Sequence, residues 1–228
     1  MNYKKFLLLA VLACSVALSA HAQRTMDKLD RGLVAVKTSS GVFCSWRIMG
    51  EEYYDVTYNI YRDGTKLNSE PLTVSNFTDG SGSTSSTYQV EAVVRGVVQE
   101  KCKAVTPWSQ QYLEITPDHG SLTSKYVPND VCCADVDGDG ELEILMKFDN
   151  SSWAGTSYQK AGYNGEYFIM EVYKLNGKKL WWIDWGPNMA DFQNNEQNIV
   201  AYDWDGDGKA EAVLRASDGT KIHTASGH

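Results

Sequence analysis

Short apolar blocks and alternating apolar and polar positions run along the first part of the chain, a pattern typical of β-strands. Residues that are β-branched or aromatic concentrate in these blocks. We predict strands at Leu33–Val36, Val42–Trp46, Val56–Tyr61 and Tyr88–Val94. The pairs Asp63-Gly64 and Arg95-Gly96 separate such blocks and predict tight hairpin turns.

The chain after Pro107 has the same strand-like character. We predict strands at Val131–Ala134, Leu142–Phe148, Tyr167–Leu175, Lys179–Trp185, Ile199–Tyr202 and Ala212–Ala216. Asn176-Gly177 predicts a hairpin turn. Because no long helical periodicity occurs after residue 23, the predicted fold class is all-β. The polar stretch Asp149–Gly165 is long for a structural connection, so it is a candidate functional loop.

Strand spacing divides the chain into two predicted domains. Residues 23–108 carry short strands at the density of a small β-sandwich, with Trp46 on an early strand and an aromatic and β-branched strand beginning at Tyr88. This arrangement resembles fibronectin type III and related immunoglobulin-like modules. Residues 109–228 form the second predicted domain. The aromatic residues of the sandwich are expected to pack in its core.

The amino-terminal segment has the features of a secretory signal peptide. Lys4 and Lys5 precede an apolar run, which ends in Ala20-His21-Ala22 before Gln23. We therefore predict a signal peptide at residues 1–22 and a secreted protein, extracellular or periplasmic. The apolar run is shorter than the ~20 residues that cross a bilayer, so no transmembrane segment is predicted. Lipoprotein anchoring at Cys14 is a weaker alternative.

The charge composition argues against nucleic acid and anionic membranes as partners. Of 228 residues, 21 are Lys or Arg and 29 are Asp or Glu, which gives a net charge of -8. This charge opposes sequence-independent binding to nucleic acid or to an anionic membrane. Four cysteines follow the predicted signal peptide, too few for a disulfide scaffold, and Cys44 with Cys102 is the only pairing that the sequence suggests. The oligomeric state is not predicted.

One nine-residue motif occurs twice and carries the clearest chemistry. It begins at Asp135 and again 68 residues later at Asp203. The predicted ligands at positions one, three, five, seven and nine are Asp135, Asp137, Asp139, Glu141 and Glu143 in the first loop, and Asp203, Asp205, Asp207, Lys209 and Glu211 in the second. Position seven offers its backbone carbonyl. Two glycines allow the tight turn, and an all-oxygen ligand set favours calcium over zinc.

An EF-hand is the obvious rival for these loops. Its loop needs a bidentate Glu at position twelve, where this chain has Met146 and Leu214, and it needs flanking helices. An acidic turn without metal is a second alternative, but it would not require four acids and two glycines twice. We expect the calcium ions to be structural. No nucleophile elbow, zinc-protease motif or phosphate loop occurs, and His119, His223 and His228 are expected to be ordinary surface residues.

The calcium loops look like those of calcium-bound β-propellers, and further segments make the resemblance specific to one family. Residues 26–36, Ser45-Trp46-Arg47, residues 58–64, Asn129-Asp130, the first loop, residues 173–177 and Trp182-Ile183-Asp184 resemble the amino-terminal part of rhamnogalacturonan lyases of polysaccharide lyase family eleven. The resemblance runs from about residue 24 to Thr220.

This resemblance implies a fibronectin-like domain in front of an eight-bladed propeller that cleaves the rhamnogalacturonan I backbone of pectin. About 110 residues after the sandwich make about two blades, whereas propellers have about four to eight, so the chain is expected to be a truncated, amino-terminal part. The catalytic residues are then expected beyond His228. Lys147 and Arg215, each just after a calcium loop, are the candidate substrate contacts.

The leading hypothesis is a secreted, calcium-dependent polysaccharide lyase that acts on rhamnogalacturonan I by β-elimination. The alternative is a non-catalytic, calcium-stabilised propeller module that binds glycans or proteins at the cell surface. A degenerate gene product is a third possibility.

Overall fold

The computed structural model describes residues 29–50, 52, 54–150, 166–187 and 198–225, and this part of the chain contains strands but no α-helix. The all-β prediction is confirmed. The predicted signal peptide at residues 1–22 and most of the Asp149–Gly165 loop lie outside the described residues. A search of the described residues found no helix with the length and apolar character needed to span a membrane.

The amino-terminal region is a sandwich of two antiparallel sheets. One sheet has the order β1-β2-β5 and the other the order β4-β3-β6-β7. The strands are β1 (Val34–Thr38), β2 (Gly41–Ser45), β3 (Val56–Arg62), β4 (Thr65–Lys66), β5 (Asn76–Asp79), β6 (Tyr88–Val94) and β7 (Val97–Lys101). Buried side chains from both sheets, including Val42, Ile60 and Val90, form one core between them. A β-sandwich is therefore confirmed, and its fibronectin type III identity stays a prediction.

Both predicted hairpin turns of the sandwich are present. Asp63 and Gly64 have φ angles of 50° and 79°, and they join β3 to β4. Arg95 and Gly96 have φ angles of 51° and 79°, and they join β6 to β7. Positive φ at both central residues matches the right-handed twist of the paired strands, which explains the Asp-Gly signal.

The one disulfide that the sequence suggested is not formed. Cys44 and Cys102 are both buried free thiols. Cys44 packs in the core of the sandwich, and the Cys102 sulfur accepts a hydrogen bond from the Val90 amide at 3.1 Å. Both cysteines therefore serve as small buried side chains.

The second region contains a five-stranded antiparallel sheet and a two-stranded sheet. The larger sheet has the order β14-β11-β10-β9-β8, and the smaller one pairs β12 with β13. The strands are β8 (Tyr126–Ala134), β9 (Glu143–Asn150), β10 (Ile169–Tyr173), β11 (Lys179–Asp184), β12 (Ile199–Tyr202), β13 (Glu211–Leu214) and β14 (Lys221–Thr224). All six predicted strands of this region exist, and β14 was not predicted. The propeller assignment stays a prediction.

The centre of the larger sheet is buried on both faces, because all five residues of its central strand, β10, are buried. On one face Leu145, Met170 and Trp185 pack against Ala201 and Leu214 of the smaller sheet. The other face, around Phe148 and Trp182, is covered in part by residues of the segment that follows the sandwich. This packing places the smaller sheet, which carries the second acidic loop, against the larger sheet, which carries the first.

Candidate metal centres

The two acidic loops connect the strands of two hairpins and lie beside each other. The first loop joins β8 to β9, and the second joins β12 to β13. The Ala210 amide donates a hydrogen bond to the Asp135 carbonyl at 2.7 Å. A Cβ placed on Gly138 would lie only 3.1 Å from the Gly208 carbonyl oxygen. A side chain at position 138 would therefore crowd the second loop.

In the first loop, the carboxylate at position one organises the backbone. Asp135 Oδ1 accepts hydrogen bonds from the amides of Gly138 and Asp139 at 2.7 and 3.1 Å, and Oδ2 accepts one from Gly140 at 2.7 Å. Gly138 and Gly140 have φ angles of 78° and 86°, which L-residues rarely adopt. Asp135 is thus a backbone-capping residue as well as a candidate ligand.

The second loop repeats this arrangement. Asp203 accepts hydrogen bonds from the amides of Gly206 and Gly208 at 2.7 and 2.9 Å, and these glycines have φ angles of 79° and 91°. The Glu at position nine also has the same role in both loops. Glu143 accepts a hydrogen bond from the Val136 amide at 2.9 Å, and Glu211 accepts one from Trp204 at 3.0 Å. The repeated sequence therefore produces a repeated backbone.

Carboxylate oxygens converge in both loops, as the sequence predicted. Asp135, Asp137 and Glu143 each place one oxygen within 4.8 Å of the others in the first loop. In the second loop Asp203, Asp205, Asp207 and Glu211 do the same. Oxygen-only sites of this size suit a hard divalent cation. The four carboxylates of the second loop fit a divalent metal ion.

A lysine that sequence reasoning missed contacts the first loop with its side chain. Lys174 Nζ is 2.6 Å from Asp137 Oδ2, 2.7 Å from Asp139 Oδ2 and 3.8 Å from Glu143 Oε1. Asp139 turns toward this ammonium, and it is the one loop aspartate outside the carboxylate cluster. Lys174 lies on the turn between β10 and β11, so only the tertiary pairing of the strands brings it to the loop.

The charges in the first loop shift the pKa values of its members. The hydrogen bond from Lys174 lowers the pKa of Asp139, and the contacts with Asp137 and Asp139 raise the pKa of Lys174. Burial raises the pKa of Glu143, although the Val136 amide opposes this change. The pKa values of Asp139 and Glu143 therefore shift in opposite directions, because the Glu143 side chain is almost completely buried.

The first loop also contacts the sandwich. The Asp30 amide donates a hydrogen bond to the Gly140 carbonyl at 2.7 Å, and Lys103 Nζ donates one to the Asp139 carbonyl at 2.7 Å. Lys103 Nζ also lies 3.6 Å from a carboxylate oxygen of Glu141. The Glu141 side chain thus points toward the sandwich. The carbonyl ligation predicted for position seven, at Glu141 and Lys209, stays a prediction.

The two candidate substrate contacts occupy different environments. Lys147 has a fully buried side chain, and its Nζ lies 3.9 Å from carboxylate oxygens of both Asp130 and Asp149. It is therefore not a solvated charge at a strand end. Arg215 is exposed, and its carbonyl accepts a hydrogen bond from Trp185 Nε1 at 3.0 Å. A role in substrate binding stays a prediction for both residues.

The expectation that the histidines are ordinary surface residues is wrong for two of them. His119 Nδ1 lies 3.0 Å from Glu171 Oε2, and its ring packs against the Tyr126 and Phe148 rings. The His223 ring stacks on Trp182 at 4.0 Å between centroids. His228 lies outside the described residues. Sequence spacing gave no signal for either contact, because His223 reaches Trp182 through the pairing of β14 with β11, and His119 reaches Glu171 from the segment that follows the sandwich.

Comparison with known proteins identifies the family. A family model described as "Rhamnogalacturonan I lyases beta-sheet domain" matches residues 24–108. A second one, "Rhamnogalacturonan lyase family 11, C-terminal domain", matches residues 109–227, which is more than half of the chain. The chain belongs to rhamnogalacturonan lyase family 11. The resemblance found in the sequence is thus confirmed.

Individual members of family 11 are similar to most of this chain. The rhamnogalacturonan endolyase YesW of Bacillus subtilis (strain 168) is 44% identical over 210 residues, which cover 89% of this chain and 33% of YesW. The exolyase YesX of the same strain is 39% identical, with 87% of this chain and 33% of YesX covered. The crystal structure of YesW superposes with a TM-score of 0.76 over 88% of this chain and 35% of that structure, at 41% identity. The chain therefore spans about one third of the length of these relatives.

Proposed function

We propose that the protein acts as a polysaccharide lyase that cleaves the rhamnogalacturonan I backbone of pectin by β-elimination. One observation carries this proposal. The two family 11 matches together extend from residue 24 to residue 227, and they meet without a gap at residues 108 and 109. The likeness is thus not confined to a common sandwich or to an isolated acidic loop.

The chemistry of this reaction sets requirements on the protein. A base removes the proton next to the uronate carboxylate, and the electron pair forms a double bond as the bond to the glycosidic oxygen breaks. Positive charge near the carboxylate stabilises the negative charge that develops. Among the described cations, Arg215 is exposed just after the second loop and is the better candidate for contacting the substrate, because the Lys147 side chain is buried.

We further propose that the acidic loops give the protein a dependence on calcium. The second loop supports this most directly, because its four carboxylates converge and no described Lys, Arg or His nitrogen forms an ion pair with them. A bound calcium would be held by Asp203, Asp205, Asp207 and Glu211, and it would offset their mutual repulsion. The second loop joins β12 to β13, so the ion would stabilise this hairpin.

Secretion and domain organisation are parts of the same proposal. The pattern of Lys4, Lys5, the apolar run and Ala20-His21-Ala22 supports export after cleavage at residue 22. A fibronectin type III-like domain at residues 23–108 and propeller blades at residues 109–228 agree with the sandwich and with the two neighbouring hairpin loops. An extracellular or periplasmic location suits a pectic polysaccharide as substrate.

The proposal is tested by incubating rhamnogalacturonan I with the 228-residue chain and with the product of its complete reading frame. We expect ultraviolet absorbance from unsaturated uronate with the complete product, loss of this activity in chelator, and recovery with calcium. Asp205→Ala should reduce the activity, whereas the matched change Asp218→Ala, outside the loop, should not. Binding of the glycan without any unsaturated product would refute the lyase and favour a calcium-stabilised binding module.

A further inference from the structure

The two acidic loops are nearly identical in sequence but differ in the charges around them. In the first loop, the cluster of Asp135, Asp137 and Glu143 faces the Lys174 ammonium. In the second loop, no described basic nitrogen lies within 4.0 Å of a cluster oxygen. Lys209, at position seven, forms no such pair either. One repeat therefore already contains a cation, and among the described residues the other has none.

The backbone holds Lys174 at the first loop. Tyr173, the preceding residue, is buried as the last residue of β10. The Lys174 amide donates to the Lys178 carbonyl at 2.9 Å, and its carbonyl accepts a hydrogen bond from Gly177 at 2.9 Å. These bonds close the Asn176-Gly177 turn. The lysine thus leaves the sheet at a fixed position, and its side chain is only 19% exposed.

The ammonium and a divalent cation would compete for the same oxygens. Lys174 Nζ lies 2.6 and 2.7 Å from carboxylate oxygens of Asp137 and Asp139. Calcium binds six to eight oxygens at about 2.3–2.6 Å. An ion bound in the cluster through Asp137 Oδ2 would therefore lie close to the ammonium, and the like charges would repel. Calcium binding through this oxygen is therefore opposed as long as the ammonium stays in place.

We propose that Lys174 is the built-in cation of the first loop, so that this loop is held together without a divalent metal while the second loop takes calcium. The part that concerns the second loop rests on the calcium role proposed above. The first loop is also the one that contacts the sandwich through Asp30 and Lys103. The junction between the sandwich and the second region therefore persists when calcium is removed.

Calorimetric titration of the chelator-treated 228-residue chain with calcium tests this inference. We expect Asp205→Ala to lose one site and Asp137→Ala to lose none. Lys174→Met should gain one calcium site, and the calcium affinity of this site should be at least about tenfold higher than that of the first loop in the parent chain. The added site should disappear in Lys174→Met/Asp137→Ala. Lys178→Met removes an exposed lysine from the same turn and should change nothing.

Each contrary result has a separate meaning. If Asp137→Ala removes a site from the parent chain, and Lys174→Met does not tighten that site, Lys174 is not the cation of the first loop. A folded Lys174→Met that gains no site overturns the inference as well, and Lys174→Gln provides a second folded variant. If Asp205→Ala loses no site, the calcium role of the second loop fails, whereas a site gained in Lys174→Met still supports the role of Lys174.

Discussion

Asp135→Asn isolates the contribution of one carboxylate to the backbone of the first loop. The change removes the charge and replaces one oxygen by an amide group, with almost no change in volume. Asp135 is 5% exposed and accepts three hydrogen bonds from backbone amides. The Gly138 and Gly140 amides donate to different oxygens of Asp135. Asn has only one acceptor oxygen, so one of these two amides would face the side-chain NH2 group and lose its acceptor.

The size of the effect follows from these bonds. A hydrogen bond to a charged group contributes about 1.5–3 kcal/mol, and a buried donor without a partner costs about 1–3 kcal/mol. Loss of one such bond and weakening of the others predicts a decrease of roughly 3 kcal/mol in the free energy of unfolding. For a chain of this size, that decrease corresponds to a fall of about 6–12 °C in the melting temperature.

The assay is urea or thermal unfolding in chelator, so that a metal ion makes no contribution. Asp137→Asn is the matched control, because it removes the same charge from the same loop. The Asp137 carboxylate contacts the partly exposed Lys174 instead, and screening limits the expected loss to below about 1 kcal/mol. Equal losses for the two variants would refute the argument, since charge rather than backbone capping would then explain both.

Two further predictions concern acid stability and thiol reactivity. Burial alone would raise the pKa of Glu166, but hydrogen bonds from Ser124 and Thr123 outweigh burial and lower it to about 2. Ionised Glu166 therefore stabilises the folded protein above its unfolded pKa of about 4.3, and this stabilisation is lost as the pH falls toward 2. Between these pH values the free energy of unfolding of Glu166→Gln should fall by about 2 kcal/mol less than that of the parent chain. Parallel curves of unfolding free energy against pH for the two proteins would contradict this. Burial raises the pKa of the Cys44 thiol to about 12, whereas Cys133 is exposed. Mass spectrometry after brief alkylation of the native protein should therefore find the label on Cys133 well before it appears on Cys44. Equal labelling of the two cysteines would argue against burial of the Cys44 thiol.

Local sequence predicted most of the strands but missed four of them. Runs such as Val56–Tyr61 and Ile199–Tyr202 predict strands because their apolar side chains can be buried on a face of a sheet. β14 carries Lys221, Ile222 and His223, and its exposed residues give no such signal. It forms because β11 offers an open edge, with Trp182 opposite His223. β4, β5 and β7 are likewise short or largely exposed, and pairing rather than composition defines them.

The acidic loops were predictable because their chemistry is local. Spacing of the acids and glycines within nine residues fixes the backbone turn and turns most of the carboxylates inward, and the structure brings all of the acids except Asp139 and Glu141 into the two clusters. Lys174 was not predictable, because it follows the first loop by more than thirty residues and reaches it only through the pairing of β9 with β10. The burial of Lys147 and the contact of His119 with Glu171 depend on the same sheet.

The sequence by itself determined the all-β class, the two repeated oxygen-rich loops and the membership of family 11, since each depends on residues that are close together along the chain. Only the tertiary structure decided how the two loops differ. Sheet pairing and packing place the Lys174 ammonium against one set of carboxylates and no described cation against the other. Charges separated along the chain act on each other only across short distances in space, and the fold sets those distances.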